Sequence, residues 1–329
     1  MLVTVRVAVP WFPQTLAPLS QPSSKFLRIV ERPSQAQSDI LCAGRALRGH
    51  AWYMRKNQQL KTVGPQTAHL IAALYDRAQT TFTNSDVTAI TGLEASSARS
   101  LVRKAEARGL VTRLKPGLFV LVPPELGSAT EFSGNPYLTA RAMAGGADYY
   151  ISHSSAMELH RMVTQPQFTV FTSTPKRLRA RTIHGTEFRF VFVPPEHIFG
   201  VGTHWITKQD SVRISDLERT LIDGLRQPEY CGGIAEVAKG LWMRHEDLKT
   251  GRAIEYALQL RVGSVIRRLG YLLELYHLAA EPELQRLRSA VTVTYSLLDP
   301  VMPKEGPRMV RWRLRLNVAP EELEAIRST

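Results

Sequence analysis

The spacing of apolar residues predicts a run of helices that begins near residue 63. Apolar positions recur at helical spacing from Pro65 to Gln79, behind a proline that suits a first helical turn. A second, shorter helix is predicted from about Ser85 to Thr91. Asn84 or Ser85 is expected to cap it, and Gly92 is expected to end it.

A third, basic helix is predicted from about Glu94 to Arg108, closed by Gly109 as a left-handed C-terminal residue. The positions expected to face inward are Ala98, Leu101, Val102 and Ala105. The positions expected to face outward are Ser96, Arg99, Ser100, Arg103 and Lys104. Apolar residues at intervals of three and four thus separate a packed face from a polar one.

Two β-rich runs follow, around the turn Pro116-Gly117, and predict a hairpin over residues 110–122. Helix, short helix, glycine turn, basic helix and hairpin in this order are typical of a winged helix-turn-helix. We therefore predict such a domain over residues 63–124.

Residues 125–136, rich in Pro, Gly and Ser, are expected to be a linker into a second domain at 137–329. Apolar runs there predict strands between helices, so the expected fold class is α+β. Ser215 and Glu218 have the spacing of a capping box that opens a helix. Separate helices are predicted at 262–269 and 272–277, and an alternating strand at 311–316.

The first 62 residues are rich in Pro, Ser and Gln and show no sustained period. They predict a disordered leader. Met54, followed by Arg55 and Lys56, is an alternative translation start.

The charge of the chain is unevenly distributed. Its formal net charge is +13, from 42 Lys and Arg against 29 Asp and Glu, and the first 124 residues hold +10 of it. Since Lys and Arg that neutralise phosphates release counterions, a basic first part joined to a nearly balanced second part favours nucleic-acid binding. The alternative is that the charge only keeps the protein soluble.

The outward face of the third helix carries the residue types that read DNA. Arg99 and Arg103 are one turn apart and are suited to guanine edges, whereas Ser96, Ser100 and Lys104 suit phosphates. Arg113 and Lys115 are expected at the hairpin tip, along the backbone or minor groove. The alternatives are a solvated helix face and a winged helix that binds protein.

A second basic run, of Lys176, Arg177, Arg179 and Arg181, has no acidic residue within it. It is a candidate contact for nucleic acid or an acidic protein, although a solvated loop is the more common fate of such a run. If residues 311–316 form an exposed strand, Arg311, Arg313 and Arg315 share one face and add to this surface.

The sequence offers no recognisable catalytic or metal site. His153 and His160 lie on one helix face, but no third ligand stands at a usual metal spacing, and phosphate-loop, dinucleotide and nucleophile-elbow motifs are absent. Asp216, Glu218 and Asp223 resemble an acidic catalytic cluster, but the residues from Ser215 to Glu218 are explained more simply by helix capping. We therefore expect no enzyme, no cofactor and no metal.

The two cysteines, Cys42 and Cys231, allow neither a disulfide framework nor a cysteine-based zinc site. Their number fits a reducing cytoplasm. No apolar stretch approaches the roughly 20 residues of a membrane span. The expected location is cytoplasmic, with no membrane partner.

Several segments, in order, resemble the AbiEi family of bacterial antitoxins. The strongest is Val212–Leu225; the others are Gly109–Phe119, Tyr149–Ser152, Ser155–His160, Pro228–Glu229, Gly232–Ile234, Arg267–Glu274, Leu298–Pro300 and Arg311–Leu314. The resemblance covers about residues 62–318. Residues 1–53 have no counterpart in it.

The resemblance implies an antitoxin of a type IV toxin–antitoxin system, associated with abortive infection of phage-infected cells. Its N-terminal winged helix would bind inverted repeats in double-stranded DNA upstream of its own operon and repress transcription. Its C-terminal domain would oppose a nucleotidyltransferase-like toxin without a stable complex. In this interpretation the motif from Ser215 to Asp223 is a scaffold signature.

Two other functions remain open. The chain is alternatively a stand-alone winged-helix regulator whose C-terminal domain senses a ligand or partner. The third hypothesis, an enzyme with a basic site in the C-terminal domain, lacks a nameable catalytic constellation.

Overall fold

The structure is a computed structural model, and it describes residues 63–328. These residues belong to one compact unit, Gln59–Thr329. The expected leader of residues 1–62, the alternative start at Met54 and the first cysteine, Cys42, lie outside the described residues.

The first part of the described chain contains the three predicted helices and the predicted hairpin. Its elements are α1 (Pro65–Asp76), β1 (Thr81–Thr83), α2 (Asn84–Thr91), α3 (Ala95–Ala107), β2 (Val111–Lys115) and β3 (Leu118–Leu121). The strands form an antiparallel sheet in the order β1-β3-β2. The short strand β1 is the element that the sequence pattern missed.

Helix α2 is capped by Thr83, which corrects the expected cap at Asn84 or Ser85. The Thr83 hydroxyl accepts from the backbone N–H of Asp86, and the Asp86 carboxylate accepts from the backbone N–H of Thr83 at 2.6 Å. This reciprocal pair satisfies two donors of the first turn. Gly92 ends the helix in the left-handed region, with φ of 69°, as predicted.

The two helices joined at Gly92 pack on one core with the sheet. Ala98, Val102 and Ala105 of α3 are buried as predicted, while Leu101 is half-buried. They share this core with Leu74 of α1, Val87 of α2 and residues of the sheet. Burying this row fixes which face of α3 remains exposed.

The expected linker, residues 125–136, is packed against the hairpin. The Phe132 N–H donates to the Thr112 hydroxyl at 2.9 Å, and Ser133 is buried. Hairpin residues Leu114 and Val120 share a core with Met143 and with residues of the following sheet. The hairpin therefore belongs to the first antiparallel sheet and also packs on the elements after residue 136.

A six-stranded mixed sheet forms the centre of the second part. Its strands are β4 (Tyr150–Ile151), β5 (Thr169–Thr174), β6 (Arg181–Ile183), β7 (Thr186–Phe192), β8 (Val201–Trp205) and β9 (Ser211–Ser215). Their order is β6-β7-β5-β4-β9-β8, with β5/β7 and β4/β9 parallel and the other pairs antiparallel. The helices α4 (Pro136–Ala144) and α5 (His153–Leu159) contact β5 of this sheet.

A helical cluster packs behind the sheet and contains the largest core. Its helices are α6 (Leu217–Arg226), α7 (Ile234–Met243), α8 (Thr250–Leu260), α9 (Gly263–Leu275), α10 (Glu281–Ser289) and α11 (Pro320–Ala325). Short 3-10 turns lie at Pro124–Leu126, Pro195–His197, Pro228–Tyr230 and Ile326–Ser328. A small sheet in the order β10-β12-β11 joins β10 (Ser296–Leu297), β11 (Arg308–Met309) and β12 (Leu314–Arg315). The chain is thus an α+β protein.

The capping box predicted from Ser215 and Glu218 is wrong. Ser215 is the last residue of β9, and the cap of α6 is Asp216, whose carboxylate accepts from the Arg219 N–H at 2.7 Å. The Glu218 carboxylate accepts instead from the backbone N–H of Lys249 at 2.9 Å. Glu218 therefore ties α6 to the start of α8, a long-range contact that sequence spacing does not reveal.

The alternating strand predicted over residues 311–316 is also wrong. Only Leu314 and Arg315 are extended, because Trp312 turns into the core and Arg313 is left-handed with φ of 50°. Arg311 forms an ion pair with Glu274 at 2.9 Å. The three arginines at 311, 313 and 315 therefore do not line one strand face.

The helices predicted at 262–269 and 272–277 are one continuous helix, α9, and α10 was not predicted. Among residues 63–328, no helix combines the length and hydropathy needed to cross a membrane.

Candidate nucleic-acid interface

The outward face of α3 is exposed where the sequence predicted. Ser96, Arg99, Arg103 and Lys104 are exposed, whereas Ser100 is half-buried. The Arg99 Nε donates to the carbonyl of Ala95 at 3.1 Å, which holds the side chain along the first turn. Within the described chain, Arg99, Arg103 and Lys104 form no ion pair. The face therefore presents three positive charges that no described carboxylate pairs with.

Arg113 does not lie at the tip of the hairpin. Its guanidinium pairs with the Glu106 carboxylate of α3 at 2.7 Å and lies over the Phe119 ring, 5.6 Å from the centroid. The turn itself is Pro116-Gly117, with Gly117 left-handed at φ of 79°. The expected tip position of Arg113 is thus corrected: it flanks the last turn of α3.

Lys115 is also turned away from the tip. Its ammonium donates to the Met143 carbonyl at 2.8 Å, near the C-terminal end of α4. Lys176 donates to the Ala144 carbonyl at 3.3 Å and also to that of Gly145. Free carbonyls at a helix C-terminus attract cations. Burial, and secondarily the charge of Lys176, lower the pKa of Lys115.

The second basic surface meets the hairpin. Arg181 donates to the carbonyl of Leu114 in β2, and Arg177 lies 4.6 Å over the Phe192 ring. Arg179 is exposed, and together with Arg181 and Lys115 it borders a cavity of about 430 Å³. The hairpin at Lys115 and the basic run that begins at Lys176 are therefore neighbours in the structure. They lie 61 positions apart in the sequence.

The partners of these side chains are the part of the site that the sequence did not predict. Glu106 holds Arg113 from seven residues away, and Met143 holds Lys115 from 28 residues away. The first contact has a local signal, since Glu106 and Arg113 are oppositely charged and lie on the consecutive elements α3 and β2. The second depends on the packing of α4 and has no signal in the sequence.

The candidate acids and histidines have structural partners. Tyr256 donates to the Asp216 carboxylate at 2.9 Å, and the Arg219 guanidinium pairs with Asp223 at 3.0 Å. His153 is fully buried beside the Ser152 hydroxyl at 2.9 Å, and burial lowers its pKa to about 4. The His160 Nε2 contacts the Ser215 carbonyl at 2.7 Å.

The structure gives no support to a metal site or to a reactive cysteine among the described residues. Within residues 63–328, no three His, Cys, Asp or Glu side chains are grouped so that they could hold a metal ion. Cys231 is a buried free thiol, and burial raises its pKa, so it is a poor nucleophile in this position.

The chain has a structural neighbour among solved proteins. No family model matches the chain, and no curated protein matches it. The crystal structure of the RV2827C protein from Mycobacterium tuberculosis is similar, with a TM-score of 0.58 and 18% sequence identity, over 77% of this chain and 92% of that one. At this identity the likeness shows a shared fold.

Proposed function

We propose that residues 63–124 form a winged helix-turn-helix that binds duplex DNA through α3, and that the chain is an autorepressing antitoxin of the AbiEi type. The single observation that supports DNA binding is the exposed face of α3. Its three cations have no ion-pair partner in the part of the chain that the structure describes. A buried row on the opposite face packs the helix on its own core.

The spacing on α3 suits the major groove. Arg99 and Arg103 are four residues apart, so their Cα atoms are separated by about 6 Å along the axis, close to two base-pair steps. A guanidinium can bond the O6 and N7 of guanine together. Ser100 and Lys104 form a parallel row beside them, which suits contacts to the flanking phosphates.

The hairpin has a more limited role in this proposal than the sequence predicted. Arg113 and Glu106 form a partly exposed pair, and such pairs contribute about 0–1 kcal/mol. Arg113 can therefore exchange Glu106 for a phosphate when DNA is bound. Lys115, engaged with the Met143 carbonyl, is assigned to holding the hairpin on α4 rather than to DNA.

The antitoxin part of the proposal is supported by the roles of the motif from Ser215 to Asp223. In the structure these residues end β9, cap α6, tie α6 to α8 and form a buried ion pair. Such roles fit a scaffold signature rather than a catalytic site. We therefore retain a non-enzymatic C-terminal domain, at 137–329, that acts against a nucleotidyltransferase-like toxin.

The alternative, a stand-alone regulator that senses a ligand, also has an observation in its favour. The cavity of about 430 Å³ lies between the hairpin, at Lys115, and the loop that carries Arg179. A small anion bound there would contact both the DNA-binding part and the second part of the chain. A nucleotidyltransferase gene beside this one would favour the antitoxin.

Two single substitutions test the assignment of DNA contacts. Arg103→Ala is expected to weaken binding to the promoter site by roughly 1–3 kcal/mol and to spare random DNA, because it removes a base contact. Lys104→Ala is expected to weaken both DNAs alike and to lower the salt slope. Gel-shift titrations of the full chain at two salt concentrations measure both effects.

Lys208→Ala provides the matched control, since Lys208 is an exposed lysine in the turn between β8 and β9. It is expected to leave both affinities unchanged. Equal losses for Arg103→Ala and Lys104→Ala on both DNAs would contradict the division of roles. If the wild-type chain shifts neither DNA in the gel, the proposal of DNA binding fails.

Co-expression tests the antitoxin function separately. The chain is expected to restore growth of cells that express the nucleotidyltransferase-like protein encoded beside it, because the C-terminal domain opposes the toxin. Arg103→Ala is expected to restore growth as the wild type does and to lose repression of a promoter reporter. Failure of the wild-type chain to restore growth would favour the stand-alone regulator.

A further inference from the structure

A buried guanidinium that pairs with no carboxylate of the described residues lies at the start of α9. Arg267 is 2% exposed, and its Nη2 makes four bonds of 2.7–3.2 Å to the carbonyls and hydroxyls of Thr292 and Thr294. Its Nε has no partner and is shielded from solvent. Its Nη1 forms no hydrogen bond or ion pair with any described residue. Two of its three nitrogens are thus left without an acceptor.

The position of this guanidinium is set by Gly263. An added Cβ at Gly263 would lie 2.5 Å from the Arg267 Nη1 and 3.5 Å from its Cζ. The side chain therefore folds back along α9 to the N-terminal end of the helix. Glycine at 263 is what leaves room for it there.

The N-terminus of α9 adds a second source of positive potential. The helix has 13 residues, begins at Gly263 and has no side chain that caps it. Backbone N–H groups of a first helical turn, together with the helix dipole, favour an anion. The N-cap residue, Val262, offers no acceptor on its side chain.

These groups face a cavity of about 520 Å³ between the end of α8, the start of α9 and the segment after α10. Its polar lining consists of Arg261, Ser264, Arg267, Thr292, Thr294 and Ser296. None of the described residues that line it is Asp or Glu. Burial lowers the pKa of Arg267.

A buried charge normally has a counter-charge, because desolvation costs several kcal/mol per ion. Two other buried arginines meet this cost in different ways. Arg219 pairs with Asp223 at 3.0 Å, whereas the three nitrogens of Arg268 donate to the carbonyls of Leu225 and Leu297. At Arg267 the described residues provide no anion, and, unlike Arg268, this guanidinium has two nitrogens without an acceptor among them. The missing partner is therefore expected to come from a ligand.

We propose that this cavity binds the phosphate group of a small phosphorylated molecule, held by Arg267, Arg261, the hydroxyl of Ser264 and the first turn of α9. A guanidinium matches the tetrahedral oxygens of phosphate better than an ammonium does, because it offers parallel N–H groups. The cavity volume lies within the range of small-ligand sites. This site is separate from α3 and does not depend on the proposed DNA binding.

The test is a calorimetric titration of the full chain with inorganic phosphate, adenosine 5′-monophosphate and adenosine, at constant ionic strength. Phosphate and the nucleotide are expected to bind, and adenosine is not. Similar affinities for phosphate and nucleotide would identify the phosphate alone as the ligand, whereas tighter nucleotide binding would indicate contacts to the attached group. No binding of either at millimolar concentration overturns the proposal.

Two variants locate the site without removing Arg267, whose bonds to Thr292 and Thr294 also hold the fold. Arg261→Asn removes an exposed charge at a left-handed position, φ of 55°, that asparagine tolerates. Gly263→Ala keeps every charge but displaces the Arg267 guanidinium. Each is expected to weaken phosphate binding about tenfold, the effect of one charged hydrogen bond.

Gly251→Ala and Lys208→Ala are the matched controls. The first adds a methyl group to another helix, with its nearest neighbour 3.9 Å away, and the second removes an exposed charge elsewhere. Both are expected to bind phosphate as the wild type does. Unchanged affinity in both Arg261→Asn and Gly263→Ala would overturn the assignment of this cavity.

Discussion

Replacing Gly270 by alanine is expected to destabilise the protein by about 3 kcal/mol or more, although alanine is the better helix former. Gly270 lies inside α9, and an added Cβ would fall 2.1 Å from Cζ3 of Trp312. Trp312 is fully buried, and its indole N–H donates to Glu274 at 2.5 Å. The ring is therefore enclosed in the core and held by a hydrogen bond, so moving it away from the methyl group disturbs both. Urea denaturation monitored by circular dichroism measures the loss.

Two comparisons separate this clash from a general effect of alanine. Gly251→Ala in α8 meets no atom closer than 3.9 Å and is expected to be neutral or stabilising by up to about 1 kcal/mol. In a Trp312→Leu background, Gly270→Ala is expected to cost much less, because the smaller side chain leaves room for the methyl group. A full additional loss in that background would contradict the proposed clash.

The elements that the sequence predicted well are those that local contacts determine. Helices α1 to α3 follow from apolar spacing, and Gly92 and Gly109 end α2 and α3 in left-handed conformations that favour glycine. The hairpin follows from the turn Pro116-Gly117. The exposed face of α3 was predictable for the same reason, because packing one face of a helix leaves the other in solvent.

The errors arise where distant residues decide the structure. The spacing of Ser215 and Glu218 matched a capping box, but pairing of β9 with β8 keeps Ser215 in the sheet. The Glu218 carboxylate accepts from the backbone N–H of Lys249 instead. The alternation at 311–316 predicted a strand, but burial of Trp312 against α9 breaks it. Strands β1 and β6 have three residues each, which is too short for a period to be visible.

In the candidate site, too, features set by local contacts were predictable and features set by distant residues were not. The side chains on α3 were found from the sequence, whereas the conformations of Arg113 and Lys115 depend on Glu106 and Met143. The cavity at Arg267 could not be predicted, because it requires α9 and the segment at 292–296 to meet. In the sequence, Arg267 was visible only as part of a family-like motif.

The second large effect is expected from Asp223→Asn, which should cost about 3–5 kcal/mol. The Arg219 side chain is 0% exposed and that of Asp223 is 2% exposed, and the Arg219 Nε and Nη2 both lie 3.0 Å from the Asp223 Oδ1. Burial acts to lower the pKa of Arg219, but Asp223 and Tyr150 raise it, so that the guanidinium stays charged. Asparagine removes the counter-charge and leaves that cation buried.

The exposed pair between Arg244 and Asp247, also at 3.0 Å, provides the control for Asp223→Asn. Asp247→Asn removes the same charge in water and is expected to change the free energy of unfolding by less than about 1 kcal/mol. The double variant Arg219→Met with Asp223→Leu is expected to recover most of the loss, because no charge remains to be desolvated. If Asp223→Asn and Asp247→Asn cost the same in urea denaturation, the buried pair is not what fixes α6 in the core. The scaffold interpretation of the motif at 215–223 would then lose its main support, and Asp223 would again be a candidate for chemistry.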